Sequence, residues 1–483
     1  MPTAARALVV VPPLLKYSAG PLLGPALLVA AARASGHEAD VLDLNIRWIR
    51  AHLPPRIAAP PSTVVGDHDK PGSLLSDLQR DLFVPLLRGH LSEVEHLDGA
   101  DPHLTLTCSH DAVETAAERL AASAHGAWIR SVLAERERPD VLGVSVLFSG
   151  QVLVGLAVGI VARALWPGVR VVWGGPHVTA IQDRIARDPH FGRLVDAFVF
   201  GYAECTFVEL LDAVARRAPL PSGCVRAGQG QLHRAADDPG HTPVFQDLEL
   251  YGLPRLTLPA QASRGCSYGR CGFCTYPTIE GTYRTIDEAI VEPVVQLGLE
   301  RNATVAFKDS LVVPKRLATL AARIGGRVRW SACTKLNPAL DEAALRRLAG
   351  GGCDTLEIGL ETIDSESQRL IGKRQSVALF KQTLDAAREA GVGLVINYIT
   401  GFPGTTPAEE QGELARVEDE VKQRQPSLRA VVEHNEFQLE RLSPMGRNPG
   451  AFGLRVTREW PWSSMLGWEG EGRGAPRMRL PVR

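Results

Sequence analysis

Apolar residues first gather in a compact run from Ala7 to Val11, the pattern of a parallel strand buried on both faces. A Leu- and Ala-rich stretch from Leu22 to Ser35 predicts a helix, with Gly36 where a C-cap would sit. His37 to Leu44 reads as the next strand, ending at Asp43 and Asn45. Residues 46 to about 135 hold Pro-rich turns (Pro54-Pro55, Pro60-Pro61) and helical patterns at Ser76 to Leu87 and Asp111 to Glu135, which predict a mostly helical insertion. The alternation then resumes. Val141 to Phe148, Val169 to Trp173 and Ala197 to Phe200 read as strands, Val152 to Leu165 as a helix, and Thr206 with Glu209 as a capping box. This order predicts a Rossmann-like, doubly wound α/β domain over residues 1–220, whose ligand would sit outside the carboxyl ends of the strands. Ser145 and Leu147 fall at one such end, and Gly174-Gly175-Pro176-His177 at another. A hydroxyl and two residues without side chains would let a bulky ligand approach the backbone.

Residues 221–257 carry Gly, Pro and an Asp237-Asp238-Pro239-Gly240-His241 run, and read as a linker. A second alternating series occupies 258–445. Ala260 to Arg264, Val305 to Phe307, Val328 to Ala332, Thr355 to Leu360, Leu394 to Ile399 and Val431 to Leu439 read as strands. Between them lie helix signals: Thr285 with Glu288, Thr406 with Glu409, Pro407 at a first helical position, and Gly391 after a helix from Ser376 to Ala390. Six strand–helix repeats fall short of a closed eight-fold barrel, so a partial (β/α)6 TIM-type barrel with an open side is expected. Barrel sites form at strand C-termini, near which lie Cys266, Asp309, Lys335, Glu361 and Gly404. Residues 446–483 form a C-terminal extension.

The chemistry concentrates in Ser263 to Pro277, where Cys266, Cys271 and Cys274 share one short loop. Three close thiols cannot all pair as disulfides, and soft thiolates suit zinc or an iron–sulfur cluster. Zinc would want a fourth ligand, and no second Cys or His pair lies nearby. Three ligands with one position open fit a [4Fe–4S] cluster whose unique iron binds a small molecule.

Composition narrows the class. At 483 residues the chain needs two or three domains. Lys+Arg 53 against Asp+Glu 54 argues against nucleic acid as a partner. Eight cysteines without regular pairing fit a reducing cytoplasm, and Cys108, Cys205, Cys224, Cys333 and Cys353 read as buried small hydrophobes. The N-terminus reads as a strand and not a signal peptide. Val152 to Trp166 is broken by Arg163 and too short to span a bilayer, so no membrane role is expected.

The cysteine loop resembles that of the radical SAM superfamily, down to the aromatic Phe273 before the third Cys. It departs in spacing: four residues, Ser267 to Arg270, separate the first two cysteines where three are usual. The first half resembles the cobalamin-binding domain that precedes many radical SAM barrels, through Gly174-Gly175-Pro176-His177 and Gly201-Tyr202-Ala203-Glu204. It lacks the Asp-x-His-x-x-Gly feature, so no protein His on cobalt is implied, and His177 reads as structural. Glu357-Ile358-Gly359-Leu360-Glu361 resembles the strand whose acid contacts S-adenosylmethionine (SAM), and Gly401-Phe402-Pro403-Gly404 the turn after the fifth strand. The resemblance implies a [4Fe–4S] cluster, SAM and cobalamin as cofactors. Phe273, Tyr276, Asp309, Lys335, Glu361, Gly401 and Gly404 would then face SAM, and Ser145, Leu147, Gly174 and Gly175 cobalamin.

It also implies C-methylation of an unactivated carbon in a natural-product or peptide substrate, through a 5′-deoxyadenosyl radical and methylcobalamin, with an electron donor such as flavodoxin or ferredoxin. A cobalamin-linked cyclisation or rearrangement without methyl transfer is the alternative; a non-catalytic zinc-bound Rossmann protein is the third. The tail from Arg441 past Trp460, Trp462 and Trp468 would either close the open barrel side against substrate or serve packing alone.

Overall fold

The computed structural model describes residues 4–13, 19–52, 109–230, 240–252 and 255–470. The predicted helix from Ser76 to Leu87, both Pro-Pro turns and Cys108 lie outside these residues.

The first sheet contains β1 (Arg6–Val11), β2 (Glu38–Asp43), β3 (Val141–Ser145), β4 (Arg170–Gly174) and β5 (Ala197–Phe198), all parallel, in the order β2-β1-β3-β4-β5. Alternate residues of β1 feed two cores. Ala7 and Val9 meet helices Leu23–Ala34 and Glu204–Ala215. Leu8 and Val10 meet His110–Ala122, Ala124–Ala134 and Val152–Leu165. Burial on both faces is why these strands read as unbroken apolar runs. The strand order reverses between β1 and β3, and ligands of such sheets bind outside the carboxyl ends at that switch point.

Three expectations need correction here. The helix predicted from Asp111 to Glu135 is two helices: Ser123 Oγ donates to the Leu120 carbonyl at 2.7 Å and accepts from the His125 N–H at 3.1 Å, ending one and capping the next. β3 stops at Ser145, because Gln151 Oε1 takes the N–H groups of Leu147 and Phe148 at 2.8 and 3.3 Å. Thr206 is no N-cap. The helix begins at Glu204 behind Ala203, and Thr206 is buried within its first turn against Gly223.

The second sheet has six parallel strands in the order β13-β12-β11-β10-β9-β6. They are β6 (Thr257–Ala260), β9 (Thr304–Phe307), β10 (Trp330–Thr334), β11 (Cys353–Glu361), β12 (Gly393–Thr400) and β13 (Ala430–Glu436). Each neighbouring pair is parallel, and among the described residues β6 and β13 do not pair with each other, which gives a partial barrel. Its helices pack over a continuous apolar core running from Leu258 to Ala430.

The strand predicted from Ala260 to Arg264 is divided. β6 ends at Ala260, and β7 (Ser263–Arg264) pairs antiparallel with β8 (Arg284–Thr285). Asp309, just beyond β9, captures the Ala262 and Ser263 N–H groups and turns the chain out of the sheet. Thr285 therefore lies in β8, and Asp287 caps the following turn through the Ala289 N–H at 2.8 Å. The Thr406–Glu409 capping box and Gly391 in the left-handed C-cap (φ 72°) stand as expected.

Beyond the barrel, β14 (Leu454–Glu459) and β15 (Leu466–Gly470) form an antiparallel pair. Trp468 packs on Phe437 of the barrel at 5.4 Å between ring centroids. Trp462 enters the first domain's core, 4.5 Å from Phe191, and its carbonyl lies 2.9 Å from His177 Nε2. Among the described residues no helix is long and apolar enough to cross a membrane.

Candidate active site

The cysteine loop hangs from the carboxyl end of β6 and is fastened on both sides. Gly272 donates to the Ile371 carbonyl at 2.8 Å, and its own carbonyl accepts from the Met445 N–H at 2.9 Å. A Cβ at Gly272 would stand 3.3 Å from Met445 Cε, so the loop lies flat against that segment. Cys266, Cys271 and Cys274 are half-buried, unpaired and within electrostatic reach of one another. The Gly269 N–H points at Cys266 Sγ at 3.5 Å, as a donor to a thiolate would. Burial pushes the Cys271 thiol up to about 11 and Cys274 to about 12, so ligation there releases protons. The four-residue spacing is used: Tyr268 donates from its hydroxyl to the Gly372 carbonyl, and its ring lies 3.9 Å beneath Lys335 Nζ. The ring thus joins the loop to the end of β10 by a cation–π contact.

The barrel-end residues divide into two groups. Facing the loop are Lys335, Glu361 and Tyr276. The Lys335 ammonium is within reach of Cys266 and Cys271; burial, with Lys373 adding to it, holds that ammonium below the usual lysine range. Glu361 ends β11 at φ 67°, beside a register break, and pairs with Lys373 Nζ at 2.6 Å. Burial opposes the Lys373 charge, and Glu361 more than offsets it, raising that ammonium. Gly359 leaves room for this pair: a Cβ there would fall 2.4 Å from Glu361 Oε1. Tyr276 is 52 % exposed yet within reach of Cys274, Cys333 and Glu357, so its ring stands in the open interior of the barrel.

Of the rest, Asp309 and Phe273 are turned away from that space. Asp309 is buried, and its carboxylate accepts from the Ala262 and Ser263 N–H groups and from Ser263 Oγ at 2.7 Å. Burial pushes it up to about 6. Phe273 packs on Phe402 at 6.0 Å, which couples the loop to the turn after β12. In that turn Gly401 (φ 85°) donates to Glu410 Oε1 at 2.6 Å, while Gly404 (φ 89°) borders open space.

At the first sheet's carboxyl edge, Gln151 bridges the switch point. Its amide donates to the Pro12 carbonyl at 2.7 Å after β1 and holds the backbone after β3. This leaves Leu147 half-buried and Phe148 58 % exposed beside buried Ser145. Gly175 (φ 107°) is required by the protein itself, since a Cβ would lie 2.4 Å from the Val146 carbonyl oxygen. The Gly174-Gly175 turn thus brings two strand ends together before any ligand is considered.

The donor set suits the implied groups. Three unpaired, half-buried thiols on one loop suit a cluster, which gives each thiolate its own iron. A large exposed apolar ring, Phe148, at a switch point suits the broad face of a macrocycle. The sequence alone missed Gln151, Lys373, Glu204 and Arg264. A signal for Glu204 was present, since Gly201-Tyr202-Ala203-Glu204 stood out as a motif.

Residues 261–412 match the radical SAM superfamily and residues 129–211 the B12 binding domain. The chain therefore carries a B12 binding domain followed by a radical SAM domain. An uncharacterized methyltransferase of Pyrococcus horikoshii is 26% identical over 293 residues, which is 56% of this chain and 62% of the relative. The match thus spans under two thirds of that relative's length. The radical SAM methyltransferase TsrM from Kitasatospora setae, with cobalamin and a [4Fe–4S] cluster bound, superposes with a TM-score of 0.61 at 17% identity, covering 94% of this chain and 77% of that one. The cobalamin-dependent SAM radical enzyme OxsB, with aqua-cobalamin bound, gives 0.66 at 11% identity, covering 98% and 65%. These two share the fold.

Proposed function

We propose that the chain is a cobalamin-dependent radical SAM C-methyltransferase acting on an unactivated carbon of a natural-product or peptide substrate. The observation that carries this is the cysteine trio at the barrel mouth, abutting the carboxyl edge of the first sheet. The helix after the trio (Tyr276–Glu280) packs on the helix after Gly175 (Pro176–Ala180), and a Cβ on Gly201 would lie 3.7 Å from the Ile279 carbonyl.

In this reading Cys266, Cys271 and Cys274 hold the [4Fe–4S] cluster. Lys335, Glu361, Tyr276 and the Gly401–Gly404 turn face SAM. Asp309 and Phe273 support the loop from behind. Ser145, Leu147, Gly174 and Gly175 form the corrin edge. When bound, the reduced cluster supplies one electron to a sulfonium and cobalamin supplies a methyl carrier; the chain orients both and keeps water out. The Lys335 ammonium meets anionic charge beside the loop, and the contact with Lys373 fixes the position of the Glu361 carboxylate. A flavodoxin- or ferredoxin-like protein would deliver the electron.

Anaerobic reconstitution with iron, sulfide, cobalamin and SAM, followed by mass spectrometry of the nucleosides, tests this. S-adenosylhomocysteine beside 5′-deoxyadenosine supports methyl transfer. 5′-Deoxyadenosine alone moves the assignment to a cyclisation or rearrangement. One zinc and no sulfide ends the enzyme reading. Cys271→Ala is expected to abolish 5′-deoxyadenosine; wild-type turnover would show that the ligand assignment is wrong.

A further inference from the structure

We propose that Arg264 is a positioning residue that sets the cysteine loop against the cobalamin-side sheet, through one buried ion pair with Glu204; this rests on the function proposed above. Arg264 lies two residues before Cys266 and is 1 % exposed. Glu204 opens the helix that follows β5 and is 2 % exposed. Arg264 Nη2 donates to Glu204 Oε1, and Nη1 lies 3.4 Å from Oε2, so the guanidinium meets both carboxylate oxygens. Its Nε donates to Gln261 at 3.0 Å. Its flat face lies 4.0 Å from the centroid of the Tyr202 ring, and Gln261 in turn donates to the Tyr202 hydroxyl at 3.1 Å. Two of these partners come from the first domain and one from the barrel. A planar fork satisfied at its edge and stacked on its face has one orientation, which an ammonium would not enforce.

Little slack separates this fork from the cluster loop. Three successive residues are each held by a different carboxylate: Ser263 by Asp309, Arg264 by Glu204, and Gly265 through its N–H by Glu280 at 2.9 Å. Gly265 has φ 74° and no room for a side chain, since a Cβ would be 2.8 Å from the Gly281 carbonyl. A shift at Arg264 therefore passes to Cys266 instead of being absorbed by the single residue between them. Two further ties across the boundary, Arg441 to Asp183 at 2.7 Å and His177 to the Trp462 carbonyl, come from the tail and do not touch the loop. Arg264 is thus a buried tie, two residues from Cys266, through which the separation of the two cofactor sites is set.

The test is pulsed electron paramagnetic resonance on the full chain loaded with cob(II)alamin and reduced cluster, reading their spin–spin distance distribution. Wild type is expected to give one narrow distribution. Arg264→Lys should keep iron, sulfide and cobalt contents at wild-type levels but widen the distribution at least twofold. Tyr202→Leu, which spares the ion pair, should widen it less, and gives a readout if the Arg264 variant fails to fold. Distributions unchanged in both variants would overturn the positioning role and leave the proposed function standing. A wild type that takes up neither group overturns both.

Discussion

Replacing Lys373 with Met removes the ammonium 2.6 Å from Glu361 Oε1, where both side chains are only 10 % and 11 % exposed. At that distance an effective dielectric of about 20 gives roughly 6 kcal/mol of attraction. Desolvation of the two ions offsets part of it, so losing one partner is expected to cost about 3–5 kcal/mol. The cost is large because Glu361 has little freedom to turn outward. It sits at φ 67°, a conformation that costs a non-glycine residue about 1–2 kcal/mol and is held in place by the register break beside Gly359. The double variant Lys373→Met, Glu361→Gln removes the orphaned charge and should recover about 2 kcal/mol of the single variant's loss. Urea unfolding of the chain without cofactors, followed by circular dichroism, measures both. A single-variant cost under about 1 kcal/mol, the size seen for exposed pairs, or a double variant as unstable as the sum of its parts, would refute the reasoning.

Two glycines with left-handed φ should respond differently to alanine. Gly175→Ala drives a Cβ to 2.4 Å from the Val146 carbonyl oxygen and should cost about 2 kcal/mol more than Gly404→Ala, which meets open space; thermal melts compare them. Trp462→Ala removes a 2 % exposed ring from the first domain's core and should cost about 3–5 kcal/mol, read as a lowered melting temperature. Asp43 gives a pH signature. Burial pushes its carboxyl from 3.8 up to about 6, so between those values the folded chain keeps a proton that the unfolded chain releases. That contribution to stability is complete below pH 3.8 and is lost as pH rises through about 6. Asp43→Asn stays neutral, can accept from the Ile46 N–H through its amide oxygen while its NH2 donates to the Tyr251 hydroxyl, and should gain on wild type by up to roughly 3 kcal/mol between pH 4 and 7.5. Equal urea midpoint differences at the two pH values would contradict this.

The strands of both sheets were legible because a parallel strand covered by helices on each face must be apolar at successive positions, as in Leu8-Val9-Val10 and Thr304-Val305-Ala306-Phe307. Their ends were not, because they are set by side chains remote in sequence. Gln151 stops β3, and Asp309 stops β6 from 49 positions beyond Ala260. Asp309 shows the division most plainly. Its place at a strand end could be read from the repeat, but its direction could not, since an acid after a strand points either into the barrel mouth or back at the neighbouring chain. The cysteines escaped this ambiguity because three thiols on one loop carry their meaning in type and spacing alone. Arg264 is the opposite case. It sits two residues from Cys266, but what it does follows from Glu204, sixty positions earlier in another domain, and no periodicity joins them. Residues that would touch a cofactor are constrained by chemistry that one position can show. Residues that hold them are constrained by a partner, and a buried charge becomes readable only once the carboxylate that neutralises it has been found.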